Sequence, residues 1–169
     1  MKRVLIATVD AARARLYTYQ EDAQPGNELR EVRDLINPGR RLPDRELFSE
    51  SRPPLGPSGM AGPNVSGGPG KDDHRDDHIA MMDTKFAKEI VDELDKILRA
   101  EGYGHLILLA PPKMLGTLRK TNGIFKRNGL AVDEVPRDLS NLTVAQLHDH
   151  LASLGMVPGR QRAGLQAAR

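Results

Sequence analysis

Asp72-Asp73-His74-Arg75-Asp76-Asp77-His78 is the densest set of metal-binding side-chain types in the chain. If the run is helical, His74 and His78 stand at i and i+4 on one face, a spacing that suits two imidazole ligands of one cation. The same run lies where a Pro/Gly/Ser-rich stretch meets a helix. Aspartates there satisfy the free backbone N–H groups of a first turn. The capping reading is preferred, and His74 and His78 are kept as candidate metal ligands. Asp10 is a third candidate. It ends an apolar run, where a two-metal nuclease would place a carboxylate. The next parallel run ends Leu109-Ala110-Pro111-Pro112 with no acid, and one carboxylate cannot hold two cations. Asp10 before Ala11 therefore reads as a turn residue.

Lys113, Arg119, Lys120, Lys126 and Arg127 lie in a stretch, residues 111–132, that contains no acid. Such a patch can approach phosphates by Coulomb attraction, so these five are candidate nucleic-acid or ribosome contacts. An exposed, merely solvated basic face is the blander reading and the preferred one. Only Phe125 interleaves with the cations, which gives base stacking little support. Gly67-Gly68-Pro69-Gly70-Lys71 lacks the Ser/Thr and the preceding strand of a phosphate-binding loop. Ser49, Ser51, Ser58 and Ser66 have no His and carboxylate placed to activate them. No catalytic residue, cofactor or small-molecule substrate is indicated.

The elements that must position these groups follow from hydrophobic periodicity. Val4-Leu5-Ile6-Ala7 reads as a buried strand. Residues 14–19 alternate as a half-buried strand, and Glu28 to Ile36 form a third after the Pro25-Gly26-Asn27 turn. Ile79, Met82, Phe86, Ile90, Leu94 and Ile97 make one apolar helix stripe, with Asp76, Asp77 and Asp83 near its start, as the helix dipole prefers. Gly102 ends it. His105–Ala110 is a further buried strand, and Met114, Leu115 and Leu118 mark a short helix opened by Pro111-Pro112. Leu130-Ala131-Val132 begins a last strand. Thr143 and Gln146 have capping-box spacing before a final helix. A meander followed by two βα units predicts a mixed α/β sheet with the first strand central, the ribonuclease-H-like arrangement, covered by helices.

Between the meander and the long helix, residues 37–77 show no periodicity. Connections usually run about 4–6 residues, so this is expected to be a long flexible loop, functional or disordered. The chain of 169 residues, +2 in net charge, is expected to form a single domain over 1–154, with a frayed tail over 155–169. Hydrophobic residues make up 38% and aromatics 4%, which predicts an aliphatic core. Cys is absent, which excludes disulfides, thiolate metal sites and a cysteine nucleophile. The first apolar run stops at Asp10, too short for a signal sequence or a span. A cytoplasmic protein without membrane contact is expected, and homo-oligomerisation stays open.

HLILLAPPKMLGTLRK, EVPRDLSNLTVAQLHDHL, ATVDAARARLYTY, LINPGRRLPD and FAKEIVDEL resemble the host-attachment protein family, the group labelled "protein required for attachment to host cells". The pattern APP-x-x-LG-x-LR, Ala110 to Arg119, carries the resemblance most specifically, and the likeness extends over residues 3–154. It implies a non-enzymatic accessory or binding role. It also implies kinship with the central, ribonuclease-H-like domain of archaeal and eukaryotic peptide-chain release factors, and hence translation, with the ribosome or RNA as partner. Those factors carry Gly-Gly-Gln in the loop before the long helix. Here the match is Gly67-Gly68-Pro69, and Pro has neither the N–H nor the amide that Gln supplies. The hydrolytic role does not carry over. A metal-dependent hydrolase built on His74 and His78 is the remaining alternative.

Overall fold

The structure, a computed structural model, describes residues 3–20, 29–41, 70–121 and 123–160, with the backbone alone for Arg41 and residues 70–75. Strands β1 (Arg3–Val9), β2 (Arg13–Gln20) and β3 (Arg30–Ile36) form an antiparallel meander. Helix α1 (Pro38–Arg41) follows β3, and the long helix α2 runs Gly70–Glu101. Then come β4 (His105–Leu109), α3 (Pro112–Lys120), a 3-10 turn (Ile124–Lys126), β5 (Ala131–Val135) and α4 (Val144–Ser153). The sheet has five strands in the order β3-β2-β1-β4-β5, with β4 parallel to β1 and β5 parallel to β4. The mixed α/β sheet with a central β1 is thus the one that the periodicity predicts.

Strand alternation divides the interior into two cores. Leu5, Ala7, Leu16, Leu106 and Leu108 face one way and meet Phe86, Ile90, Leu94 and Leu98 of α2 and Leu115 and Leu118 of α3. Val4, Ile6, Tyr17, Tyr19, Ile107 and Leu109 face the other way and meet Leu147 and Leu151 of α4. Each fully buried Leu or Ile contributes about 1.5–3 kcal/mol of transfer free energy. Two expectations are corrected by this arrangement. First, β2 is covered on both faces, because α4 lies over the side that period-2 reading assigns to solvent. Second, the core is not purely aliphatic: Tyr17, Tyr19 and Phe86 are among its largest fully buried side chains. Among the described aromatics, Tyr17, Tyr19, Phe86 and Tyr103 are buried and Phe125 is partly buried.

Residues 37–77 also differ from the expected loop. Pro38–Arg41 are helical and α2 already begins at Gly70, so residues 38–41 and 70–77 belong to helices. Residues 42–69 lie outside the described part, as do Ser49, Ser51, Ser58, Ser66 and the Gly67-Gly68-Pro69 motif. The third strand starts at Arg30. Asp83 is a mid-helix residue rather than one near the start of α2, and it is buried against Arg40, whose Nε and Nη2 donate to its carboxylate at 3.1 and 2.8 Å. Asn37, also buried, accepts from Gly39 N and donates to Ala11 O, which ties α1 to the β1–β2 turn. Gly102 closes α2 with φ +68, the left-handed value that favours glycine. The expected capping box is present: Thr143 Oγ1 accepts from Gln146 N, and Thr143 N donates to Gln146 Oε1.

The C-terminal expectation changes too. Residues 156–160 fold back on α4 instead of fraying. Met156 N donates to Leu151 O, Val157 is buried, and Arg160 pairs with Asp149 at 2.6 Å. Residues 161–169 lie outside the described part. Among the described residues, no helix is long and apolar enough to cross a membrane.

Candidate functional site

Helix α3 begins where β4 ends. Pro111 precedes it and Pro112 occupies its first turn, where a missing N–H costs nothing. Met114, Leu115 and Leu118 turn inward and are buried. With 100° per residue, Lys113, Gly116, Thr117 and Lys120 then share the outward face. Lys113 and Lys120 are exposed, and so is Lys126 on the 3-10 turn.

That turn is seated closely on α2. A Cβ added at Gly123 would lie 2.5 Å from Val91 Cγ1, so only glycine allows this approach. At Gly116 the situation is reversed, since an added Cβ would meet nothing within 4 Å.

The five candidate cations do not act as one group. Arg119 forms a bidentate pair with Glu134 of β5, with Nε at 3.0 Å from Oε1 and Nη2 bonded to Oε2. That bond holds the guanidinium pKa above its ordinary value. Arg127 faces Asp95 of α2 at 3.5 Å, and Asp95 also pairs with Arg99 at 2.7 Å. Lys113, Lys120 and Lys126 have no acidic partner among the described residues. The acid-free stretch is therefore partly neutralised by acids brought in from α2 and β5.

The candidate metal ligands are placed as follows. Asp10 Oδ1 accepts from Ala12 N at 2.6 Å and Arg13 N at 2.8 Å, which closes the β1–β2 turn. His78 lies in α2 and is half-buried, and the side chain of His74 lies outside the described part. Among the described residues, no three His, Asp or Glu converge to hold a metal ion. His105 Nε2 meets Asp133 Oδ2 at 2.8 Å, and His148 Nε2 donates to Pro158 O at 2.9 Å.

Arg15 is a structural residue that period-2 reading assigns to solvent. Its Nε and Nη2 donate to Glu31 at 3.0 and 2.6 Å, and its Nη1 donates to Leu142 O at 2.9 Å. Its guanidinium also lies 5.3 Å from the Tyr17 ring centroid. One side chain thus ties the edge strand to the segment that introduces α4. No sequence signal marks it, because its partners are far apart in the chain.

A cleft of about 620 Å3 runs between α1 and α2, lined by Leu35, Pro38, Met82 and Phe86. Lys85, Lys88 and Lys96 also line it, as do Glu89, Asp92 and Glu93, with Lys88 paired to Asp92 and Lys96 to Glu93. The cleft has no dominant charge sign, whereas the outward face of α3 does.

A family model described as "Protein required for attachment to host cells" matches residues 5–151. The chain belongs to that family. No curated protein matches the sequence. Among solved structures, the type II variant of the Aquifex aeolicus Ppx/GppA phosphatase aligns with a TM-score of 0.37 and 11% identity. The alignment covers 80% of this chain and 36% of that one.

Proposed function

We propose that this member of the attachment family works by binding rather than by catalysis, as an accessory inside the cell. One observation supports the reading above others. The side chains best suited to chemistry are occupied in holding the fold: Asp10 closes a turn and His148 ties down residues 156–160. The exposed Lys113, Lys120 and Lys126 have no acidic partner among the described residues. Attachment to host cells should survive Asp10→Asn, which keeps a capping oxygen and removes the charge. A folded Asp10→Asn protein that no longer supports attachment would overturn the non-enzymatic reading. Fractionation of cells should recover the protein inside, and recovery on the cell surface would overturn the intracellular part.

A second reading names the partner as the ribosome or its RNA. We read the sheet as ribonuclease-H-like, related to the release-factor central domain and without the Gly-Gly-Gln chemistry. The meander, the central β1 and the long helix that follows are the parts of the fold consistent with this. The lysines of α3 and the 3-10 turn favour it, because ammonium groups without acid partners attract phosphates. The protein should co-sediment with ribosomes at about 50 mM salt and largely dissociate by about 200 mM. No co-sedimentation at the lower salt would dispose of this reading.

A further inference from the structure

We propose that the outward face of α3, with Gly116 between Lys113 and Lys120, is the seat for the backbone of an RNA strand. The proposal rests on the ribosomal reading and assigns it a contact surface. A glycine inside an exposed helix costs about 0.5–1 kcal/mol relative to alanine, so it calls for a reason. The described residues supply none at Gly116, which is half-buried and where a Cβ would meet nothing within 4 Å. Gly123 makes the contrast: it is pressed on Val91, and the fold itself requires it. A glycine that the fold does not need, on an outward face, lets something outside approach the helix backbone closely.

The flanking residues say what that something carries. Lys113 and Lys120 are seven residues apart, about 10.5 Å along the axis, and within about 20° of each other around it. Each can reach a different phosphate of one strand. Neither has an acid partner among the described residues, whereas Arg119 is held by Glu134. An anionic membrane fits less well, because interfacial helices insert large apolar side chains. The exposed large hydrophobics among the described residues are Ile36, Met81 and Leu154, and none is on α3.

The test uses the full chain, a labelled single-stranded RNA of mixed sequence, and anionic lipid vesicles as a second probe. Gly116→Ala should melt at or above the wild-type temperature, since the added methyl meets nothing and reduces unfolded-state freedom. Gly116→Leu should fold but bind the RNA roughly tenfold more weakly. Lys113→Gln and Lys120→Gln should each reduce the salt slope of binding by about one. Unchanged RNA affinity in Gly116→Leu, with weaker binding in the lysine variants, would overturn the glycine seat and leave the ribosomal reading standing. No RNA binding by wild type at low salt, or preference for vesicles, would overturn both.

Discussion

Replacing Gly123 by alanine probes how the basic turn is held on α2. The new Cβ would sit 2.5 Å from Val91 Cγ1, and Val91 is buried. Valine in a helix has one strongly preferred rotamer and cannot swing its methyl away cheaply. The strain must pass into the backbone of the 3-10 turn or into α2. Overpacking of this size costs about 1–3 kcal/mol, and each kcal/mol lowers the melting temperature by roughly 2–4 °C for a chain of this length. Val91→Ala alone should also destabilise, by about 1.5–3 kcal/mol, through lost burial. In the double variant the obstructing methyl is gone, so Gly123→Ala should add almost nothing to the cost of Val91→Ala. Urea unfolding of the four proteins gives the coupling directly, provided the midpoints shift at constant m-value. A neutral Gly123→Ala, or two costs that simply add, would refute the steric reasoning.

Arg15→Met should cost about 2–3 kcal/mol, because it strands Glu31 and the Leu142 carbonyl beneath the α4 approach. Hydrogen exchange should rise over residues 138–143 more than in the sheet, and a uniform rise would argue against a local tie. The carboxyl pKa of Glu93 is held below its ordinary value first by the hydrogen bond from Arg33, with Lys96 adding to it against the opposing effect of burial. A depressed folded value means that its stabilisation is present above about pH 4.3 and disappears as the pH falls through the folded value. Wild type should therefore lose more stability than Glu93→Gln on acidification from pH 5 to 3, by comparison of urea midpoints; parallel curves would contradict this. Burial pushes the Tyr17 hydroxyl pKa above its ordinary value, with the Arg15 guanidinium opposing. A raised folded value is stabilising below the unfolded one and lost above it, so alkaline unfolding beyond about pH 10 should be delayed in Tyr17→Phe. Equal alkaline midpoints would remove Tyr17 from that transition.

Much of the fold is legible because it depends on local periodicity. The β1 run, the α2 stripe from Ile79 to Ile97 and the Thr143–Gln146 box are short-range patterns, and the structure forms elements there. What is not legible depends on what comes to lie alongside. Alternation in β2 cannot show that α4 will cover Tyr17 and Tyr19, because that contact joins residues more than a hundred positions apart. The stretch 111–132 reads as uniformly basic, yet Glu134 and Asp95 arrive from β5 and α2 to pair with Arg119 and Arg127. The same limit applies to Gly116 and Gly123. One faces outward and the other meets Val91, and sequence spacing cannot tell them apart.

Whether the outward face of α3 is what binds can be measured as attachment by cells that carry a folded Lys113→Glu/Lys120→Glu variant in place of the wild-type chain. Neither lysine has an acid partner among the described residues, so the variant should unfold in urea as wild type does. If the protein acts by binding through the outward face of α3, such cells should fail to attach although the protein is present at normal level. Full attachment with the charge-reversed chain would contradict it.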